Sequence, residues 1–163
     1  MKIINSLTEY NYWANELLLS LIEKEITEEM LDHEIISSFP SLRNTIMHIW
    51  DAEFIWLKRL NGIVSMSWPG NTFSGNFIQM KKELLLNSQA FRDFVRNMDE
   101  TTFNSTFTYK NSEGKEFSNP IWQSVHHCMN HSTYHRGQVV TMMRQLGLTK
   151  IPATDFIVYC RIK

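Results

Sequence analysis

Two cysteines in 163 residues cannot supply the disulfide framework of a small secreted scaffold, and both thiols are expected to stay reduced. Proline and glycine are also sparse, at four and six residues, while the apolar share is 43%. Few breakers therefore interrupt the periodic stretches, and a disordered or low-complexity chain is excluded. No apolar run approaches the roughly 20 residues that span a bilayer. Met1-Lys2-Ile3-Ile4-Asn5-Ser6 has no continuous apolar core or small-residue cleavage site of a leader. The expectation is a soluble, cytoplasmic protein with no membrane partner. Nor is there an excess of one charge: 16 basic residues face 17 acidic ones, the net charge is −1, and the positives are scattered. That pattern argues against nucleic acid as a partner.

What the chain does have is helical periodicity. Its length suits one domain over residues 1–163, and a chain of that size buries roughly 68–70% of its unfolded surface. From Ile3 to about Lys24, the residues Leu7, Tyr10, Ala14, Leu17, Leu18 and Leu21 recur at steps of three and four. A second helix is predicted over Leu42 to Leu60, capped by Ser41 and stopped at Asn61-Gly62. After a turn-rich stretch with Trp68-Pro69-Gly70, a third helix runs from Phe77 to Met98. Between Thr101 and Ser118, aromatics among threonines and the turn residues Asn111-Ser112-Glu113-Gly114 predict a short β-hairpin or extended loop. Asn119-Pro120 reads as an N-cap followed by proline at the first helical position, with the fourth helix running to Leu146 and stopped by Gly147. Ile151 to Lys163 reads as an extended tail. The fold class is all-α, a four-helix bundle, because each apolar stripe needs partners to bury it.

The fourth helix carries His127, His131 and His135 four residues apart, so the three rings share one face. His127 and His135 are eight positions apart, about 12 Å along the axis, so one straight helix cannot bring all three to one ion. Either His127 with His131 or His131 with His135 can pair, and His48 on the second helix is the best third ligand. His33 lies in a loop and His126 points about 100° away from the row, which makes both poorer ligands. Spacing leaves the choice of pair open.

Around the row, Asp51 lies three residues after His48 and can orient a ligand ring or sit as a solvated surface carboxylate. Gln138, three residues after His135, can hydrogen-bond a bound water or be an ordinary polar position. Tyr134 and Cys128 read as packing residues, and Trp13, Trp50, Trp56 and Trp122 as core and helix-packing area. No Ser-His-Asp or nucleophilic-cysteine arrangement is evident.

Asn11-Tyr12-Trp13-Ala14-Asn15-Glu16, the Leu42–Leu60 helix with His48, Asn130-His131-Ser132-Thr133-Tyr134-His135-Arg136-Gly137-Gln138 and Pro152-Ala153-Thr154-Asp155-Phe156 together resemble the DinB family, within the larger group of DinB and YfiT-like metalloenzymes. The resemblance covers nearly the whole chain. It implies a four-helix bundle of up-down-down-up order, a homodimer, and a divalent metal held by His48, His131 and His135. His127 then becomes a neighbour of the site. The larger group includes S-transferases and isomerases that use low-molecular-weight thiols other than glutathione, and many members without assigned activity. Its name refers to DNA-damage induction, which describes expression rather than DNA binding.

The leading expectation is a metal-dependent enzyme of S-transfer or hydrolysis type acting on a small molecule. Zinc or nickel would be held with an open coordination position, since three imidazoles suit either ion. The rival is a non-catalytic metal-binding stress-response module whose histidines fasten helices together.

Overall fold

The computed structural model describes residues 1–64 and 67–163. The chain is mostly helical with a small two-stranded antiparallel sheet. Four long helices dominate: α1 (Lys2–Glu25), α3 (Leu42–Leu60), α5 (Phe77–Arg96) and α7 (Ile121–Gln145). Between and after them stand α2 (Glu28–Asp32), α4 (Pro69–Thr72), α6 (Glu100–Asn104) and α8 (Phe156–Arg161), with the strands β1 (Thr106–Lys110) and β2 (Glu116–Pro120) preceding α7. The loop from Asn61 to Gly75, expected as a turn-rich connection, includes residues 65 and 66, which lie outside the described residues.

Local chemistry sets the helix ends. Ser41 caps α3 by accepting the amide of Asn44 at 3.2 Å. Asn76 and Gln79 form a reciprocal capping box on α5. Gly62 and Gly147 adopt φ values of 70° and 95°, a left-handed conformation that costs glycine little. Each is followed by a residue whose N–H returns to the last turn, Ile63 to the Lys58 carbonyl and Leu148 to that of Met143.

The helices are held by an apolar core with two main parts and a small third cluster of Tyr10, Ala14 and Tyr159. Leu18, Ile22, Ile46, Ile49, Met80, Leu84, Val139, Met142 and Met143 fill one end of the contact between α1, α3, α5 and α7. Ile4, Phe91, Val95, Phe103, Val125 and Cys128 fill the other. Burying a side chain of this size contributes about 1.5–3 kcal/mol. α3 packs chiefly on α7 and α1 on α5, which brings the histidines of α3 and α7 face to face.

Three expectations from the sequence require correction. The tail is not extended throughout, because Phe156–Arg161 forms α8. Phe156 and Tyr159, three residues apart on one helical face, pack edge-on against Tyr10 with ring centroids 5.3 and 5.9 Å away, and the Tyr10 hydroxyl donates to the Thr154 carbonyl at 2.7 Å. A run of four apolar residues conceals that period. The hairpin begins later than Thr101, since Asp99 caps α6 by accepting the amide of Thr102 at 2.9 Å. Asn119-Pro120 ends β2, with Asn119 opposite Phe107 and Pro120 opposite Thr106, and the helix starts one residue later than expected, with Pro120 as N-cap and Ile121 as its first residue. Proline fits this place because its extended backbone closes the strand where no N–H is needed. One packing assignment also fails: Trp50 is buried, but Trp122 is 41% exposed.

Candidate metal centre

His48 projects from α3 toward the face of α7 that carries His131 and His135. The Nε2 atoms of His48 and His131 are 2.9 Å apart, and one potential ligand atom from each of His48, His131 and His135 lies within 4.8 Å of the other two. Ring centroids of the three pairs are separated by 4.5 to 4.9 Å. A tetrahedral ion with nitrogen ligands at about 2.0–2.1 Å requires donors about 3.3 Å apart, a spacing these distances bracket. The donor set fits a divalent ion of the zinc or nickel type. Spacing alone left two pairs open; the structure brings together His131 and His135 with His48. His127 stays outside the cluster, its ring 5.9 Å from that of His131 and 5.3 Å from Trp56.

Electrostatics favour neutral rings with free lone pairs. Burial pushes His48 down to about 4, with the neighbouring His135 adding to the effect. Burial does the same to His131, also to about 4, reinforced by the other histidines. His135 is lowered by burial and partly restored by its bond to Gln138. Imidazoles crowded this closely cannot all take up protons, because each charge repels the next. Unprotonated nitrogen is the form that binds metal.

Two further side chains fix the rings. His135 Nδ1 lies 2.7 Å from Gln138 Oε1, and an amide oxygen only accepts, so Nδ1 carries the proton and Nε2 keeps its lone pair. Gln138 Nε2 in turn donates to Ser38 Oγ at 2.8 Å, tying the Ile35–Ser41 loop to the centre. Phe39 from the same loop lies tilted against His48 with ring centroids 4.3 Å apart and meets His135 edge-on at 5.7 Å. No periodic signal marks Phe39, which the loop closure from Ile35 N–H to the Pro40 carbonyl delivers. Asp51 Oδ1 accepts the amide of Gly70 at 2.7 Å, which ties the α4 turn to α3. A Cβ on Gly70 would stand 2.5 Å from Asp51 Oδ2, so glycine permits the approach.

Behind the histidines lies a buried polar network that periodicity did not reveal. Glu53, fully buried on α3, accepts Asn11 Nδ2 at 2.7 Å, Asn15 Nδ2 at 3.0 Å and Ser132 Oγ at 3.1 Å on one oxygen, and Ser88 Oγ on the other. The Arg136 guanidinium, 3% exposed, donates to the side-chain oxygens of Asn11 and Asn15 and to Thr133 Oγ1. All four long helices contribute. Ser132 and Arg136 each follow a histidine by one residue, so the network fixes the rotation of α7 that points His131 and His135 at α3. In the sequence its members stand as polar residues on otherwise apolar faces, several of them inside the family motifs.

The molecule is a mostly helical protein with a three-histidine cluster between facing helices that could hold a metal ion. The DinB family matches residues 1–162 of the chain, and the chain belongs to that family. Protein DinB of Bacillus subtilis (strain 168) is 26% identical over 160 residues, covering 94% of this chain and 91% of the relative. The crystal structure of a DinB-like protein of Bacillus subtilis, YjoA, superposes with a TM-score of 0.67 at 11% identity, covering 91% of this chain and 97% of the other. That likeness establishes the fold.

Proposed function

We propose that the protein is a divalent-metal-dependent enzyme in which His48, His131 and His135 hold zinc or nickel with a coordination position left for a small molecule. The observation that carries this is the composition of the cluster: three neutral imidazoles converge, and among the described residues no carboxylate or thiolate joins them. A site that only fastened helices would be closed by a fourth protein ligand. A divalent ion held there supplies Lewis acidity and lowers the pKa of a water or thiol that it binds.

The chain's own residues support the centre without supplying a nucleophile. Cys128 is fully buried, and burial pushes its thiol well above the ordinary value, so it is inert. Ser132 Oγ is committed to Glu53. The attacking group must therefore come from solvent, giving hydrolysis, or from a low-molecular-weight thiol co-substrate, giving S-transfer. The family resemblance favours the thiol route. Gln138 holds the tautomer of His135, and the Phe39 ring shields His48 on one side.

The helix order is taken as up-down-down-up, supported by the long connection from Asn61 to Asn76, which suits a crossover between parallel helices. The working form is taken as a homodimer, as the family resemblance implies, and as cytoplasmic, following the reading of the sequence. Among the described residues no helix is long and apolar enough to cross a membrane.

The test is a screen of thiol cofactors against electrophilic acceptors, run beside a panel of hydrolysable esters and amides. Activity that is lost on chelation and restored by one divalent metal supports an enzyme. Stoichiometric metal with no turnover on either panel favours the non-catalytic module.

A further inference from the structure

Arg59, in the last turn of α3, is a cation without a counter-charge. Its Nε is buried and has no hydrogen-bond partner, and among the described residues no carboxylate pairs with its guanidinium. Its neighbours are aromatic: the Cζ atom lies 5.0 Å from the centroid of Trp56 and 5.4 Å from that of Tyr109. Aromatic faces attract a cation but accept few of its N–H groups, and a buried donor left unpaired is costly. Burial holds the guanidinium below its ordinary pKa, opposed only by the Tyr109 phenol and by no carboxylate. The buried Arg136 also has an Nε without a partner, but its terminal nitrogens donate to Asn11, Asn15 and Thr133, whereas the half-buried Arg59 has aromatic faces beside it.

That place is a cavity of about 370 Å³ between the end of α3, the segment after it and the β1–β2 hairpin, lined by Arg59 together with Ile55, Ile63, Trp68, Tyr109 and Lys110. Most of this lining is apolar. Its charged groups are two cations, Arg59 and Lys110, against the single carboxylate Glu113, which leaves one positive charge to be balanced. Ile55 and Arg59 follow His48 by seven and eleven residues, so they continue the His48 face of α3 for about 10 and 16 Å along its axis. The cavity is thus a separate compartment from the histidine cluster, with the edge-on rings of Trp56 and His127 lying between them.

We infer that this cavity is a binding site for an organic monocarboxylate with an apolar body, whose carboxylate pairs with Arg59 while its body packs against Ile55, Ile63 and Trp68. A planar guanidinium already flanked by aromatic rings is preorganised for a carboxylate, which it meets through two parallel N–H bonds. The site does not depend on metal at the histidines.

The test uses the full chain, metal-free, with benzoate, phenylacetate and 3-phenylpropionate as probes and the primary amide of each as its uncharged match. The readout is the Arg59 Nε–Hε cross-peak in a nitrogen-edited NMR spectrum, assigned by its loss in Arg59→Lys. At least one acid should shift that peak saturably, and its amide should bind about tenfold more weakly or worse. Binding followed by calorimetry should lose the acid-over-amide preference in Arg59→Gln and keep part of it in Arg59→Lys. The inference is overturned if no acid gives a saturable shift, if acid and amide titrate alike, or if Arg59→Gln retains the preference. Because the protein is metal-free, a failure of metal uptake at the histidines leaves these outcomes unaffected, and loss of acid binding says nothing against the metal centre.

Discussion

His135 donates its Nδ1 proton to Gln138 Oε1 across 2.7 Å, and that single bond decides which nitrogen of the ring faces His48 and His131 as a ligand. Gln138→Ala frees the ring to rotate and exchange tautomers. The expected outcome is unchanged metal stoichiometry with affinity lowered about 10–100-fold, measured by competition with a chromophoric chelator. Unchanged affinity would remove Gln138 from the support of the site.

The histidine cluster also ties stability to pH. In the metal-free fold His48 and His131 titrate at about 4, below the ordinary value near 6.5. Between those limits the unfolded chain binds protons that the folded chain refuses, so stability must fall as pH drops from about 6.5 toward 4. Above that window these rings are neutral in both states and contribute no slope. Glu9, held down to about 2 chiefly by Lys163, loses its contribution only further down, as pH falls below its ordinary carboxylate range. Urea midpoints of metal-free protein across pH 4 to 8 check this. A midpoint that rises on acidification through the window would contradict it.

Glu53 and Arg136 define a further prediction. Glu53→Ala strips the acceptor from Asn11, Asn15, Ser88 and Ser132 at once and leaves the buried Arg136 without a compensating charge. A cost of about 3–5 kcal/mol is expected, with Glu53→Gln milder because it keeps one acceptor oxygen. Chemical denaturation of the two variants measures the difference. Equal and small losses would show that the network is not a structural brace.

Gly70→Ala probes the Asp51 contact. The added methyl would stand 2.5 Å from the carboxylate, so Asp51 must give way or the α4 turn must shift, costing about 1–3 kcal/mol. Metal stoichiometry should not change, since Asp51 tethers the turn through Gly70 and is not one of the three clustered histidines. If Gly70→Ala or Asp51→Ala lowered metal occupancy, Asp51 would have the ring-orienting role considered from the sequence.

The long helices were legible because periods of three and four persist through Leu7 to Leu21, Leu42 to Leu57 and Phe77 to Phe94, and because Ser41 and Gly147 mark ends chemically. The i, i+4 histidines were legible for the same reason. Which two of them pair was not, because rotation of α7 is set by tertiary contacts of Ser132 and Arg136. The short α8 was hidden by its brevity: six residues hold fewer than two helical turns, and what orders them is the distant Tyr10 and Trp13. Phe39 was invisible as a site residue since its position over His48 depends on loop closure. Arg59 likewise shows its isolation only once the neighbouring aromatics are in place.

The central claim, that His48, His131 and His135 form one metal centre, is tested most directly by elemental analysis of purified protein beside the His131→Ala/His135→Ala variant. The account predicts one divalent ion per chain in the parent and none retained by the variant, with the helical circular dichroism of both unchanged. Full metal stoichiometry in the folded variant would contradict it.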